Sequence, residues 1–136
     1  MRFGSHNNDA RMTENELSHK IIGVAFDLHS SLGPGLLESA YESAFAHELN
    51  EAGLEVKRQL PISFVYKGIL LESAYRVDLM VNDKVIIEMK SVEQLAPVHY
   101  AQTLTYLKLS QRKLALLINF NEKSLRTGIH RIVNNL

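Results

Sequence analysis

The sequence predicts an α/β fold in the order ααβββαβ, a mixed sheet flanked by helices. Three observations predict it. The apolar spacing changes from helical to alternating at Leu54. The alternating segments between residues 54 and 91 are joined by turns short enough to require antiparallel pairing. A helical stretch then separates residues 84–91 from the apolar run 114–120, which calls for a right-handed crossover and therefore for parallel pairing.

The chain has 136 residues, the size of one domain. Residues 1–12 are polar and lack periodicity, so they read as a disordered or added extension, and 13–136 as a single domain. Thr13 followed by Glu16 is a capping box that starts the first helix. Leu17, Ile21, Val24, Ala25, Leu28 and Leu32 form its apolar stripe, and Gly33 with Pro34 ends it. A second helix is expected over 36–52, with Leu37, Ala40, Tyr41, Ala44, Phe45 and Leu49 inward and Gly53 as terminator; the two pack as a hairpin.

Residues 54–59 and 62–66 read as one strand broken by Pro61, a residue tolerated at an edge or a bulge. Lys67-Gly68 is a turn, 69–81 a long strand, Asn82-Asp83 a turn and 84–91 a third strand. Pro97 opens a helix to Ser110, because its missing N–H costs nothing at the first helical position. Residues 114–120 are almost uniformly apolar, the pattern of a strand buried on both faces. Residues 128–133 are read as a short last helix.

Composition excludes several function classes. Lys plus Arg number 15 and Asp plus Glu 15, a net charge of zero, which argues against a protein that holds nucleic acid through a broad basic surface. There is no Cys, so disulfides, thiolate zinc sites and a Cys nucleophile are ruled out. The six His show no pair at ligand spacing on one element. No Ser, His and acid grouping points to acyl transfer, and no glycine pattern to a nucleotide loop. No run of about 18 apolar residues and no signal-peptide core is present, so the expectation is a cytoplasmic protein without membrane contact.

The chemistry concentrates in the second hairpin. Val77, Leu79, Val81, Val85, Ile87 and Met89 are apolar, while Arg76, Asp78, Glu88 and Lys90 occupy the alternate positions. Opposed residues share a face, so keeping the apolar set together requires pairs of even sum, such as Asp78 against Glu88. A two-residue loop gives an odd sum, hence a three-residue connection or a bulge is expected, with Asp78, Glu88 and Lys90 side by side. Two adjacent carboxylates repel and are relieved by a cation between them. Their hard oxygens suit Mg²⁺ or Mn²⁺. A Glu-x-Lys triplet alone is weak; Glu55-Val56-Lys57 is another, without an Asp on a preceding paired strand. Lys123, Arg126, His130 and Arg131 form an acid-free basic stretch suited to phosphate contact, and Lys57, Arg58 and Lys67 a weaker one.

Asp78 followed by Glu88-Met89-Lys90 at the end of the next strand, in an αβββαβ core, resembles the PD-(D/E)xK nuclease superfamily, the restriction-endonuclease-like fold. Gly35-Leu36-Leu37-Glu38-Ser39-Ala40-Tyr41 is similar to the signature of a bacterial branch, the GxxExxY proteins, and Gln102 with Tyr106 to the Gln-x-x-x-Tyr motif of RecB-like nucleases. The likeness spans residues 14–133; the usual Pro before the Asp is replaced by Arg76-Val77. It implies a Mg²⁺- or Mn²⁺-dependent phosphodiesterase acting on nucleic acid, DNA foremost. Glu38, Asp78, Glu88 and the Met89 carbonyl would hold the metal, and Lys90, with Asp78 and Glu88, would be catalytic. Gln102, Tyr106 and His99 would steady the substrate, with Lys123, Arg126 and Arg131 as further contacts, while Gly35 and Tyr41 would support the second helix. A homodimer would suit cutting of two strands, and a larger protein assembly is the other expected partner. The alternative is a non-catalytic module of the same fold that binds a protein partner or a nucleic-acid end.

Overall fold

The computed structural model describes residues 11–136, apart from the side chains of Ser73 and Ala74. Most of the expected N-terminal extension lies outside the described residues. Its last residue, Met12, packs against the main core, and its carbonyl accepts a hydrogen bond from Lys84 Nζ at 2.5 Å.

Helix α1 spans Glu14–Leu32 and α2 spans Glu38–Glu51. The capping box at the start of α1 forms as the sequence requires: Thr13 Oγ1 accepts from the Glu16 N–H at 3.1 Å and Glu16 Oε1 from the Thr13 N–H at 2.9 Å. Leu17, Ile21, Ala25 and Leu28 are buried, whereas Leu32, the last residue of the helix, is exposed. On α2 the buried face is Tyr41, Phe45, Ala46 and Leu49. Leu37 and Ala40, expected inward, are exposed, Leu37 by 77%. The helix starts at Glu38, so Leu37 is an extended capping residue outside the helical stripe.

Among the described residues one five-stranded sheet is present, in spatial order β1 (Val56–Tyr66), β2 (Ile69–Val81), β3 (Val85–Lys90), β4 (Leu114–Asn119) and β5 (Ile129–Val133). β3 and β4 are parallel, joined by helix α3 (Pro97–Leu109), and the other neighbours are antiparallel. Strand β1 runs through Pro61 without interruption, and its position at the sheet edge makes the missing N–H tolerable.

The expected last helix is instead β5. Its register runs from Leu114↔Val133 to Ile118↔Ile129. Every residue of β4 is buried, so its outer backbone edge needs a partner, and five residues of extended chain supply one. Residues 129–133 carry apolar side chains compatible with either period, and the open edge of β4 decides between them.

Side chains alternate between the two faces of the sheet. The larger core joins α1 and α2 to Leu79, Val81, Val85, Ile87, Met89, Leu114, Leu116 and Ile118. The smaller one lies under α3 and contains Val77, Met80, Ile86, Leu107 and Ala115. The sheet is therefore the middle of three layers. No helix among the described residues is long and apolar enough to cross a membrane.

Candidate active site

Strands β2 and β3 pair through Val81↔Val85, Met80↔Ile86 and Leu79↔Ile87, and each pair sums to the same even number. The connection is the three residues Asn82, Asp83 and Lys84, closed by the Lys84 N–H on Val81 O at 3.0 Å. Asn82 and Asp83 both adopt left-handed backbone, with φ of 51° and 55°. These short polar residues accept that conformation more readily than most.

Beyond Leu79 and Ile87 side chains take over from the ladder. The Asp78 N–H donates to Glu88 Oε2 at 2.8 Å, and the Met89 N–H donates to Asp78 Oδ2 at 2.8 Å. Each carboxylate thus commits one oxygen to the opposite strand. The two acids are held side by side where the strands part.

Val77 departs from the expected face. It packs with Met80 and Ile86 under α3 rather than with Leu79 and Val81. The cause is a local irregularity across β1 and β2. Arg58↔Leu79 and Leu60↔Val77 are paired, but Gln59 between them has φ of 49° and no partner in the register. The strands exchange their inward faces there, with Asp78 at the exchange.

Electrostatics make this pair unusual. Glu88 is 5% exposed. Burial, and then the neighbouring Asp78 charge, push its carboxyl up from 4.5 to about 8, against the opposing pull of the Asp78 N–H and Lys90. Asp78 is also raised, chiefly by burial, while the Met89 N–H, Gln59 and Lys90 pull it back. Lys90, at the end of β3, is half-buried, and its ammonium favours the charged form of both acids.

Helix α3 brings Gln102, which is exposed, and the partly buried Tyr106 to this end of the sheet. Gln102 Nε2 donates to the Tyr106 hydroxyl at 2.7 Å. The Tyr106 ring stacks on Tyr75 at 4.2 Å between centroids, and the Tyr75 hydroxyl donates to Tyr106 O at 3.1 Å. Burial raises the Tyr106 phenol, and the charges of Glu88 and Asp78 raise it further, which places it in the field of the acid pair.

The remaining sequence candidates divide. Glu38 Oε2 accepts from the Ser91 N–H at 3.4 Å, just past the end of β3. Among the described residues no group of three His, Asp or Glu side chains closes into a metal cage. Tyr41 is tied into the turn before α2: its hydroxyl donates to Gly33 O at 2.5 Å, accepts from the Leu36 N–H at 3.2 Å, and its ring stacks on Phe120 at 4.7 Å. Gly35, with φ of 98°, makes that turn possible. His99 acts at the start of α3, where Nδ1 accepts from the Ala96 N–H at 3.0 Å. Arg131 Nη2 donates to Asn15 Oδ1 on α1, and Lys123 and Arg126 are exposed in the β4–β5 connection. His130 lies edge-on to Tyr100 at 5.2 Å. Of the weaker basic group, Arg58 is occupied by Glu42 and Ser43, and Lys67 lies over the Tyr66 ring. The Glu55 and Lys57 of the second triplet form only an exposed pair at 4.0 Å.

Three residues of the site escape sequence reading. Glu42 is one turn beyond Glu38 on the same helical face, a signal that was available. Its charge acts on both Asp78 and Glu88, and Gln59 Nε2 bridges it to Asp78. Asn119, fully buried, accepts from the Val92 N–H at 3.1 Å and donates to Val92 O at 2.9 Å, fixing the chain that leaves Lys90.

A mixed sheet between two helical layers, with helix-covered acids where its antiparallel strands part, is a restriction-endonuclease-like α/β fold. The family model of the PD-(D/E)XK nuclease superfamily matches residues 15–132. The chain belongs to that superfamily. No curated protein and no solved structure matches it.

Proposed function

We propose that the protein is a divalent-metal-dependent phosphodiesterase that hydrolyses nucleic acid, with DNA as its substrate. The observation that carries this reading is the buried pair Asp78 and Glu88, each with one oxygen taken by a backbone N–H, beside Lys90. Two desolvated carboxylates with raised proton affinity are a poor arrangement for stability and a good donor set for a hard divalent cation. Superfamily membership supports nucleic acid as the substrate class.

Asp78 and Glu88 would hold Mg²⁺ or Mn²⁺, and α2 would add a carboxylate. Of Glu38 and Glu42 in its first turns, Glu42 is the one whose charge is felt by the pair, while Glu38 binds the Ser91 N–H. The bound ion supplies a more acidic water and offsets charge on a phosphate oxygen. Lys90 would orient an attacking water through its ammonium, and it balances the negative charge of the acids. Gln102 and Tyr106 present hydrogen-bonding groups on the α3 side, where a phosphate oxygen is accepted. Neutral net charge fits weak general affinity, with attraction confined to this place.

Supercoiled plasmid and single-stranded DNA and RNA incubated with Mg²⁺ or Mn²⁺ test the reading. DNA should be cut by the wild type and left intact by Asp78→Ala and Lys90→Ala. Equal cutting by all three proteins refutes the assignment. A second reading, a non-catalytic module that binds a protein, is favoured by one feature. The β1–β2 ribbon exposes Val65, Tyr66, Ile69 and Leu70. Intact Mn²⁺ binding without cleavage of any nucleic acid would select it.

A further inference from the structure

Gln59 occupies a place that the superfamily motif does not account for. It lies between Arg58 and Leu60, which pair with Leu79 and Val77, but is itself left out of the ladder, and its φ of 49° is unfavourable for any residue with a Cβ. In return its amide reaches two acids at once. Nε2 donates to Glu42 Oε1 at 2.6 Å and to Asp78 Oδ1 at 3.2 Å. Glu42 is gripped from its other side by Arg58, whose Nε and Nη2 meet Oε2 at 3.2 and 3.1 Å. The Glu42 side chain is only 12% exposed as a result.

A primary amide has two N–H donors carrying partial positive charge. Set between two carboxylates, it does in neutral form part of what a cation does there. It relieves their repulsion without introducing a full charge. Asp78 Oδ1 is also the oxygen that the backbone leaves over, because Oδ2 is taken by the Met89 N–H. The group that would compete with a metal ion for Asp78 is therefore Gln59.

We propose that Gln59 is a positioning residue that sets the divalent-cation affinity of the acidic site: its amide bridges Glu42 and Asp78 in the metal-free protein and gives up Asp78 Oδ1 when a cation binds. This rests on the metal-dependent reading above. The bridge keeps Glu42 beside Asp78 while no metal is present, and it holds cation affinity below what the bare carboxylates would give. Removing the donor leaves Arg58 on Glu42 and the Met89 N–H on Asp78 but nothing between the two carboxylates. The metal-free protein then becomes less stable and the site more avid.

The sign of the effect separates this role from a merely structural one, which would weaken binding on substitution. Calorimetric titration with Mn²⁺ of the full chain as wild type, Gln59→Leu and Gln59→Gly tests it. The glycine variant suits the left-handed backbone and keeps the test open if the leucine variant folds poorly. Loss of hydrogen bonds to charged groups corresponds to about tenfold tighter binding in both variants. The metal-free Gln59→Leu protein should also melt earlier, and Mn²⁺ should restore it. Unchanged or weaker binding by the variants, with wild-type binding intact, overturns the role of Gln59 and leaves the proposed function standing. Absence of Mn²⁺ binding in all three proteins overturns both.

Discussion

Replacing Glu88 by Gln should stabilise the metal-free protein at alkaline pH while removing its metal site. In the unfolded chain Glu88 ionises near its ordinary 4.5, and in the folded protein burial and Asp78 push this to about 8. Between those values the folded state keeps a proton that the unfolded chain has already released. Stability therefore falls as pH rises through the window, with no penalty below it and the full penalty above it. Each pH unit is worth up to about 1.4 kcal/mol, so the ceiling is about 5 kcal/mol. The raised carboxyl of Asp78 adds to the slope in the same sense. A Gln keeps the shape of Glu88, still accepts from the Asp78 N–H through its amide oxygen, and does not titrate. Thermal melting in chelator should show the two proteins nearly equal at about pH 5, with the variant higher by up to about 20 °C at about pH 9, since about 1 kcal/mol shifts a domain of this size by roughly 4 °C. Parallel melting curves across that range, or a variant less stable at the alkaline end, would refute the claim that Glu88 is a desolvated carboxyl. Mn²⁺ titration of the same variant should show lost affinity.

Other substitutions test the framework. Tyr106→Phe keeps the ring on Tyr75 but loses the bond from Gln102, so stability should change by less than about 1 kcal/mol while DNA cleavage slows by roughly tenfold. Unchanged cleavage would remove Tyr106 from the site. Asn119→Ala strips the buried amide from Val92 and Asn121 and should cost about 2–4 kcal/mol in urea unfolding; a loss under about 1 kcal/mol would show that those backbone groups find other partners. Gly128→Ala places a Cβ 2.5 Å from Asn119 O, against the 2.8 Å bond between Asn119 N–H and Gly128 O, and should cost about 2 kcal/mol by thermal melting. A neutral effect would mean that the β4–β5 connection yields easily. Thr13→Ala should cost about 1 kcal/mol through the lost cap, measured the same way.

Much of this molecule is legible in local pattern. The capping box, the stripe from Leu17 to Leu28, the edge placement of Pro61, the proline start of α3 and the buried run of β4 each follow from chemistry within a few residues of chain. The apposition of Asp78 and Glu88 was also legible, because a period of two leaves only even-sum registers once one face must be apolar. Long-range demands decided the rest. Residues 129–133 are a strand because β4 presents an otherwise unpaired buried edge, a condition absent from the segment's own composition. Val77 changes face because Gln59 skips its partner on the neighbouring strand. Glu42 acts on the acid pair from α2, held by Arg58 and Gln59 of β1, contacts that no local pattern announces. The strands' own periodicity brought the two carboxylates together, but burial and contacts between distant elements determine how strongly they hold their protons and which neighbours restrain them.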